Sequence, residues 1–303
     1  MGMTSNMLRT LDYLAQNRIK EARQAAIACC AEDETKKNAG YVRRIRNSLE
    51  TQNAGTEIPA NLKGLLRLED VSNFLETRYY LGETEKTALN TIIRSHEITG
   101  RMLQMQIPYR NTTLVYGEPG TGKTEFARYV AYKLGLPYVY VNFSSLIDSL
   151  LGGTSKNLDR IFDFCRSFDC VLMLDEIDCI GLKRGRDGGA DGELGRTTIT
   201  LLQALDSLSS GQIIIAATNR EDRLDKALLR RFQHHFEFCR FERTDREGQI
   251  RKITGDLEQY GFQFQGISDL AEKPLTQAET TGKIMDAVAE AVYEGENCIS
   301  FAD

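Results

Sequence analysis

Along the N-terminal stretch, apolar side chains recur at helical spacing. Leu8, Leu11 and Leu14 share one face, then Ile19, Ala22 and Ala26, while Tyr41, Ile45 and Leu49 repeat at i, i+4, i+8. Residues 1 to about 52 therefore predict helices, and TQNAGTEIPANLKG (51–64) has the Gly, Pro and Asn content of a linker. An irregular lead-in follows and ends in a helical stretch around Glu85–Met105. Beyond about residue 110 the pattern changes. TTLVY (112–116), YVYVN (138–142), CVLMLD (170–175) and QIIIAAT (212–218) are short, nearly uninterrupted apolar runs, as strands buried on both faces require. Between them Leu158, Ile161, Phe162 and Cys165 make one helix stripe, and Leu194, Leu201, Leu205 and Leu208 another. Such alternation predicts an α/β fold, a parallel sheet between layers of helices. From about 240 to 303 only helical patterns remain, broken by Gly261, Gly266, Pro274 and Gly282. Three regions are expected: N-terminal helices and linker (1–60), an α/β core with its lead-in (61–239), and a C-terminal helical unit (240–303).

Candidate chemistry begins where the first of these runs ends. LVY leads directly into GEPGTGKT, which fits G-x-x-x-x-G-K-[ST] from Gly117 to Thr124, and a helix follows. Gly117, Gly120 and Gly122 let the backbone take a compact loop whose N–H groups surround phosphate oxygens. Glu118, Pro119, Thr121 and Glu125 complete this candidate nucleotide-binding segment. Lys123 would reach the β- and γ-phosphates, aided by the helix N-terminus, and Thr124 offers a hydroxyl to Mg2+. Further on, VLMLDEID places Asp175 and Glu176 at the C-terminal end of an apolar strand, where open α/β sheets bind ligands. Asp175 suits an outer-shell Mg2+ partner, and Glu176 a general base for the attacking water. The next strand ends AATNRED, where Asn219 has two readings: a γ-phosphate or water contact, or a turn residue.

GEPGTGKT, LMLDEID and AATN, followed by DKALLRRF, together resemble the AAA+ ATPases, and their spacing resembles the AAA subgroup that remodels proteins. The likeness spans about residues 110–295 and is nearest to stand-alone bacterial AAA ATPases. It implies a P-loop core with a five-stranded parallel sheet, a helical lid, ATP and Mg2+ as ligands, and rings that are usually hexameric. It also implies that Arg230 and Arg231 reach a neighbouring subunit's γ-phosphate. Relatives often separate two such arginines; here they adjoin, so either both reach phosphate or one supports the other. In the lid, TQAETTGKIMDAV (276–288) is similar to a small-residue helix start over the phosphate, with Ala278 at the contact position. The adenine contacts are expected around Tyr79–Gly82.

The work done with ATP is less marked. The tripeptide that grips polypeptide in threading relatives corresponds to Leu150–Leu151–Gly152, which lacks the aromatic ring. A Gly-rich loop, GLKRGRDGGADGE (181–193), carries Lys183, Arg184 and Arg186 and is either a second pore loop or a solvated connection. Arg43, Arg44 and Arg46 in the N-terminal helices could meet an acidic partner, or form a solvated face. A protein client, with a protease or other partner held through these helices, is the main expectation. The alternatives are a nucleotide-gated assembly factor that does not thread, and a DNA-linked ATPase.

Composition trims these alternatives. The 303-residue chain has a formal net charge of −5, whereas a nucleic-acid-binding domain is normally basic. Nucleic acid is therefore not an expected partner. Seven scattered cysteines show no zinc spacing and suit a reducing, cytoplasmic compartment. HEITG (96–100) begins like a zinc-protease motif but lacks the second histidine, and His96, His234 and His235 make no ligand set. No run approaches the ~20 apolar residues of a membrane span, so no membrane attachment is expected.

Overall fold

The structure, a computed structural model, describes residues 4–15, 18–32, 42, 46, 58–107, 109–148, 153–179, 191–208 and 212–302. Helices α1 (Ser5–Ala15) and α2 (Ile19–Glu32) pack against each other, and Asn6 Nδ2 donates to Glu32 Oε1 at 2.6 Å. Ala22 and Ala25 of α2 are buried, whereas Leu8, Leu11 and Leu14 of α1 stay exposed. The expected stripe of Tyr41, Ile45 and Leu49 lies outside the described residues, as do Arg43 and Arg44.

The core runs β1 (Arg67–Glu69), α3 (Glu83–Gln104), β2 (Asn111–Tyr116), α4 (Lys123–Leu134), β3 (Tyr138–Asn142), α5 (Phe143–Asp148), α6 (Thr154–Cys165), β4 (Val171–Asp175), α7 (Asp191–Asp206), β5 (Ile213–Thr218), α8 (Lys226–Leu229) and β6 (His234–Glu237). Its sheet has the order β1-β3-β4-β5-β2-β6. Strands β2 to β6 are the expected five parallel strands. A sixth, β1, pairs antiparallel with β3 and caps the edge. The sequence missed β1 because three residues in an irregular lead-in carry too little alternation to read.

Period-2 geometry explains why the strand sequences look uniformly apolar. Leu114, Leu172, Leu174, Ile214 and Ala216 enter one core, with Leu158, Ile161 and Phe162 of α6 and Leu201 and Leu205 of α7. Their neighbours Val115, Val171, Met173, Ile213, Ile215 and Ala217 enter the other core, with Ala88 and Ile92 of α3 and Phe126 and Val130 of α4. Leu208, expected on the α7 stripe, lies just past the helix end and still packs on the first core.

The C-terminal unit holds α9 (Arg243–Glu258), β7 (Gln263–Gln265), α10 (Ile267–Glu272), α11 (Gln277–Glu294) and β8 (Cys298–Ser300). The expectation of helices alone is corrected here: β7 and β8 form a small parallel sheet. Strands of three residues are too short for periodicity to separate them from turns. Ile250, Ile253, Leu257, Ile284, Ile299 and Phe301 make a separate apolar core. Beside it Arg246 is buried, and its guanidinium donates to the carbonyls of Ala271 (2.6 Å), Phe241 (2.6 Å) and Leu275 (3.2 Å). Burial lowers its pKa, so those carbonyls must hold the charge in place.

Candidate nucleotide site

The expected loop sits at the C-terminal end of β2, one strand in from the sheet edge, where the chain leaves for the far strand β3 and later returns to β6 on the other side of β2. That reversal of direction is the usual ligand crevice of an open α/β sheet. Gly117 has φ 142°, and a Cβ there would lie 2.1 Å from the Phe238 carbonyl oxygen. Only glycine fits. Gly120 and Gly122 also have positive φ, which turns the loop tightly into α4.

Inside the loop Lys123 is 8% exposed, and its Nζ donates to the carbonyls of Gly117 (2.8 Å) and Glu118 (2.7 Å). Burial pulls its pKa down, with the charges of Asp175 and Asp178 opposing. A cation so poorly solvated is well placed to meet a phosphate anion. Thr121 Oγ1 donates to Glu118 O at 2.9 Å and ties the loop to itself. Glu118 reaches out to Arg240 (2.6 Å), and Glu125 pairs with Arg128 (2.9 Å). Pro119 and Gly120 form the turn between them.

The acidic pair lands beside this loop. Thr124 Oγ1 donates to Asp175 Oδ2 at 2.9 Å, joining the start of α4 to the end of β4. A hydroxyl and a carboxylate are hard oxygen donors that suit Mg2+. Among the described residues no cluster of three or more His, Cys, Asp or Glu forms a metal cage. The remaining ligands would have to come from phosphate and water, as is usual for Mg2+. Glu176 follows at φ 57°, a left-handed conformation uncommon for a non-glycine residue, and its backbone N donates to Asp175 Oδ1.

Two residues that the sequence reading passed over hold these carboxylates. Tyr140 OH donates to Asp175 Oδ2 at 3.2 Å, and Asn142 Nδ2 donates to Glu176 Oε2 at 3.2 Å. Burial raises the Tyr140 phenol. The available signal was position: both are polar residues of YVYVN, pointing the same way near the strand's C-terminal end. Asn219 sits exposed in a turn after β5, closed by Thr218 Oγ1, which accepts from Arg220 N and donates to Asp178 Oδ1.

The C-terminal unit also reaches the loop. Ala278 N, at the start of α11, donates to Gly120 O at 3.0 Å. Thr276 caps α11 in a capping box with Glu279, and its Oγ1 would stand 2.9 Å from a Cβ on Gly120. Gly82, in the segment expected to meet adenine, is buried against Phe241 and Glu85, just before α3.

Arg230 and Arg231 are not brought to this loop. They follow α8, and Thr112 Oγ1 at the start of β2 donates to Arg231 O at 2.8 Å. The candidate phosphate loop begins at the other end of that strand, roughly 17 Å away at the ordinary rise per residue. Arg231 is held by Asp206 at the end of α7, Nη2 to Oδ2 at 3.1 Å and Nε to Oδ1 at 3.3 Å, whereas Arg230 is exposed. Leu150–Leu151–Gly152 and residues 181–190 lie outside the described residues.

Residues 113–240 match the model for the ATPase family associated with various cellular activities (AAA). The chain is 32% identical over 235 residues to an uncharacterized AAA family ATPase, y4kL, of Sinorhizobium fredii, covering 74% of this chain and 71% of that one. The chain belongs to the AAA family. As a member it is an ATPase with a nucleotide-binding core. It is also 35% identical over 229 residues to the ATP-dependent zinc metalloprotease FtsH of Mycoplasmoides gallisepticum, covering 73% of this chain and 30% of that one. It is 42% identical over 121 residues to the probable 26S proteasome regulatory subunit 10B of Caenorhabditis elegans, covering 39% of this chain and 30% of that one. The chain thus spans under a third of the latter two relatives. Among the described residues no helix of the AAA chain is long and apolar enough to cross a membrane.

Proposed function

We propose that this AAA ATPase assembles as a ring and spends ATP on remodelling a protein client, with Arg230 acting across the subunit boundary. The observation that carries this reading is the distance of Arg230 and Arg231 from their own phosphate loop. Arginines at the opposite end of β2 cannot neutralise a γ-phosphate bound to Gly117–Thr124 of the same chain. Their charge is then meant for a nucleotide on a neighbour. Among the two, Arg230 is free to project, and Arg231 supports it from the Asp206 pair. The names of the relatives, a protease and a proteasome regulatory subunit, support a polypeptide client.

In this reading Lys123 and the loop amides bind the β- and γ-phosphates, and Thr124 and Asp175 hold Mg2+, which would draw charge from the phosphates when bound. Glu176 accepts a proton from the attacking water, with Asn142 fixing its carboxylate and Asn219 beside the γ-phosphate. Ala278 and Thr276 close the lid on the loop. A guanidinium aimed at transition-state charge contributes about 10^3-fold or more in rate.

The test mixes two inactive variants under conditions of subunit exchange. Glu176→Gln keeps its arginines but cannot activate water; Arg230→Ala keeps its glutamate but has no cation to give. Recovery of ATPase activity on mixing is the expected result. A mixture that stays inactive despite demonstrated exchange would remove the ring mechanism.

A further inference from the structure

The Tyr140 phenol stands between the two carboxylates of the site. Its ring is oriented from the sheet edge, where Arg67 of β1 pairs in register with Tyr140 and lays its guanidinium 5.9 Å from the ring centroid. Its hydroxyl donates to Asp175 Oδ2 and accepts from Asn142 Nδ2 at 3.4 Å. The same Asn142 nitrogen donates to Glu176 Oε2. Asp175 Oδ2 takes a second bond from Thr124 Oγ1, and its Oδ1 takes the Glu176 backbone N–H. Asp175 is therefore oriented by donors from a helix, a neighbouring strand and the residue that follows it. Without the phenol, Thr124 alone among the described residues would hold Oδ2, and the carboxylate could turn about its Cβ–Cγ bond.

We propose that Tyr140 is a positioning residue that joins Asp175 to Glu176 through Asn142, so that the metal-side and water-side carboxylates are set as one hydrogen-bonded unit. This rests on the assignment of Thr124 and Asp175 to Mg2+. Phenylalanine at 140 keeps the ring and its packing and removes only the link. Groups that orient a metal's ligands commonly contribute about 10- to 100-fold in affinity or activity.

The test uses the full chain and a fluorescent ADP analogue titrated with Mg2+ and, separately, with EDTA. In Tyr140→Phe the affinity in EDTA should stay within about twofold, because the loop amides and Lys123 are untouched. The gain in affinity conferred by Mg2+ should shrink by about tenfold, and kcat should fall with little change in KM for ATP. Asn142→Ala, which breaks the chain on the Glu176 side, should lower kcat while leaving the Mg2+ gain intact. The double variant should be no slower than the worse single one. An unchanged Mg2+ gain in Tyr140→Phe would overturn the proposal, and so would losses in kcat that multiply. If the unaltered chain itself showed no Mg2+ gain, the metal assignment would fall first, which separates the two failures.

Discussion

Arg231 grips Asp206 through two parallel hydrogen bonds within one chain, while Arg230, its immediate neighbour, projects from the surface. Arg110 joins the same carboxylate at 3.1 Å, and Arg231 and Arg110 together hold the Asp206 carboxyl below its ordinary range. Adjacent arginines thus stand in different surroundings, and the proposed function gives them different roles. Arg230→Ala should lower kcat by about 10^3 with unchanged nucleotide affinity and unchanged thermal stability. Arg231→Ala should shift unfolding by under about 1 kcal/mol, because the pair is partly exposed. Steady-state ATPase assays and urea unfolding of both variants decide this; equal kinetic losses without a stability change would mean both arginines reach phosphate.

At Gly117 the loop has no room for any side chain. Gly117→Ala would place a methyl 2.1 Å from the Phe238 carbonyl and force a φ of 142° on an alanine. We expect loss of nucleotide binding together with destabilisation of about 2 kcal/mol or more. Calorimetric titration with ADP, alongside a melting curve, checks both. Tight ADP binding by this variant would mean that the loop rebuilds easily.

Arg246 pins the C-terminal unit through three carbonyls, with no carboxylate partner among the described residues. Truncation to alanine leaves those acceptors buried and a void beside them. A destabilisation of about 3 kcal/mol is expected, measured by denaturant unfolding. Lysine should rescue only in part, since one ammonium cannot span three diverging carbonyls as a guanidinium does. Full rescue by Arg246→Lys would show that charge alone matters.

Glu85 introduces a pH dependence of defined sign. It is 5% exposed, and burial raises its carboxyl above the ordinary range, with the Asp245 charge adding to the effect. Folding favours its protonated form, so its contribution is fully present below the unfolded-chain value and is lost as pH rises through the folded value. Glu85→Gln should therefore match the unaltered chain near about pH 4 and be more stable at neutral pH. Unfolding midpoints at the two pH values test it; a variant less stable at neutral pH would mean that the ionised carboxylate has a stabilising partner.

Much of the candidate site was legible because its chemistry demands residue types at short spacing. A loop that wraps phosphate needs glycines, a lysine and a hydroxyl within eight positions, and the strand that leads into it is apolar on both faces. Asp175 and Glu176 followed from standing at the end of such a strand. Tyr140 and Asn142 did not, because a hydrogen bond between neighbouring strands leaves no local pattern. The pairing of Arg231 with Asp206 was hidden for the same reason: α7 and α8 meet only after β5 has been inserted between β4 and β2.

What the sequence determined by itself was the alternation of apolar runs and amphipathic helices, hence the parallel sheet, and the position of the candidate phosphate loop. These are local, since backbone periodicity and glycine's conformational freedom act within a few residues. Tertiary structure alone decided which polar groups share a carboxylate, and that Ala278 meets Gly120. It alone put the arginines at the far end of β2 from their own loop. Such relations depend on strand order and register, which bring together residues far apart along the chain.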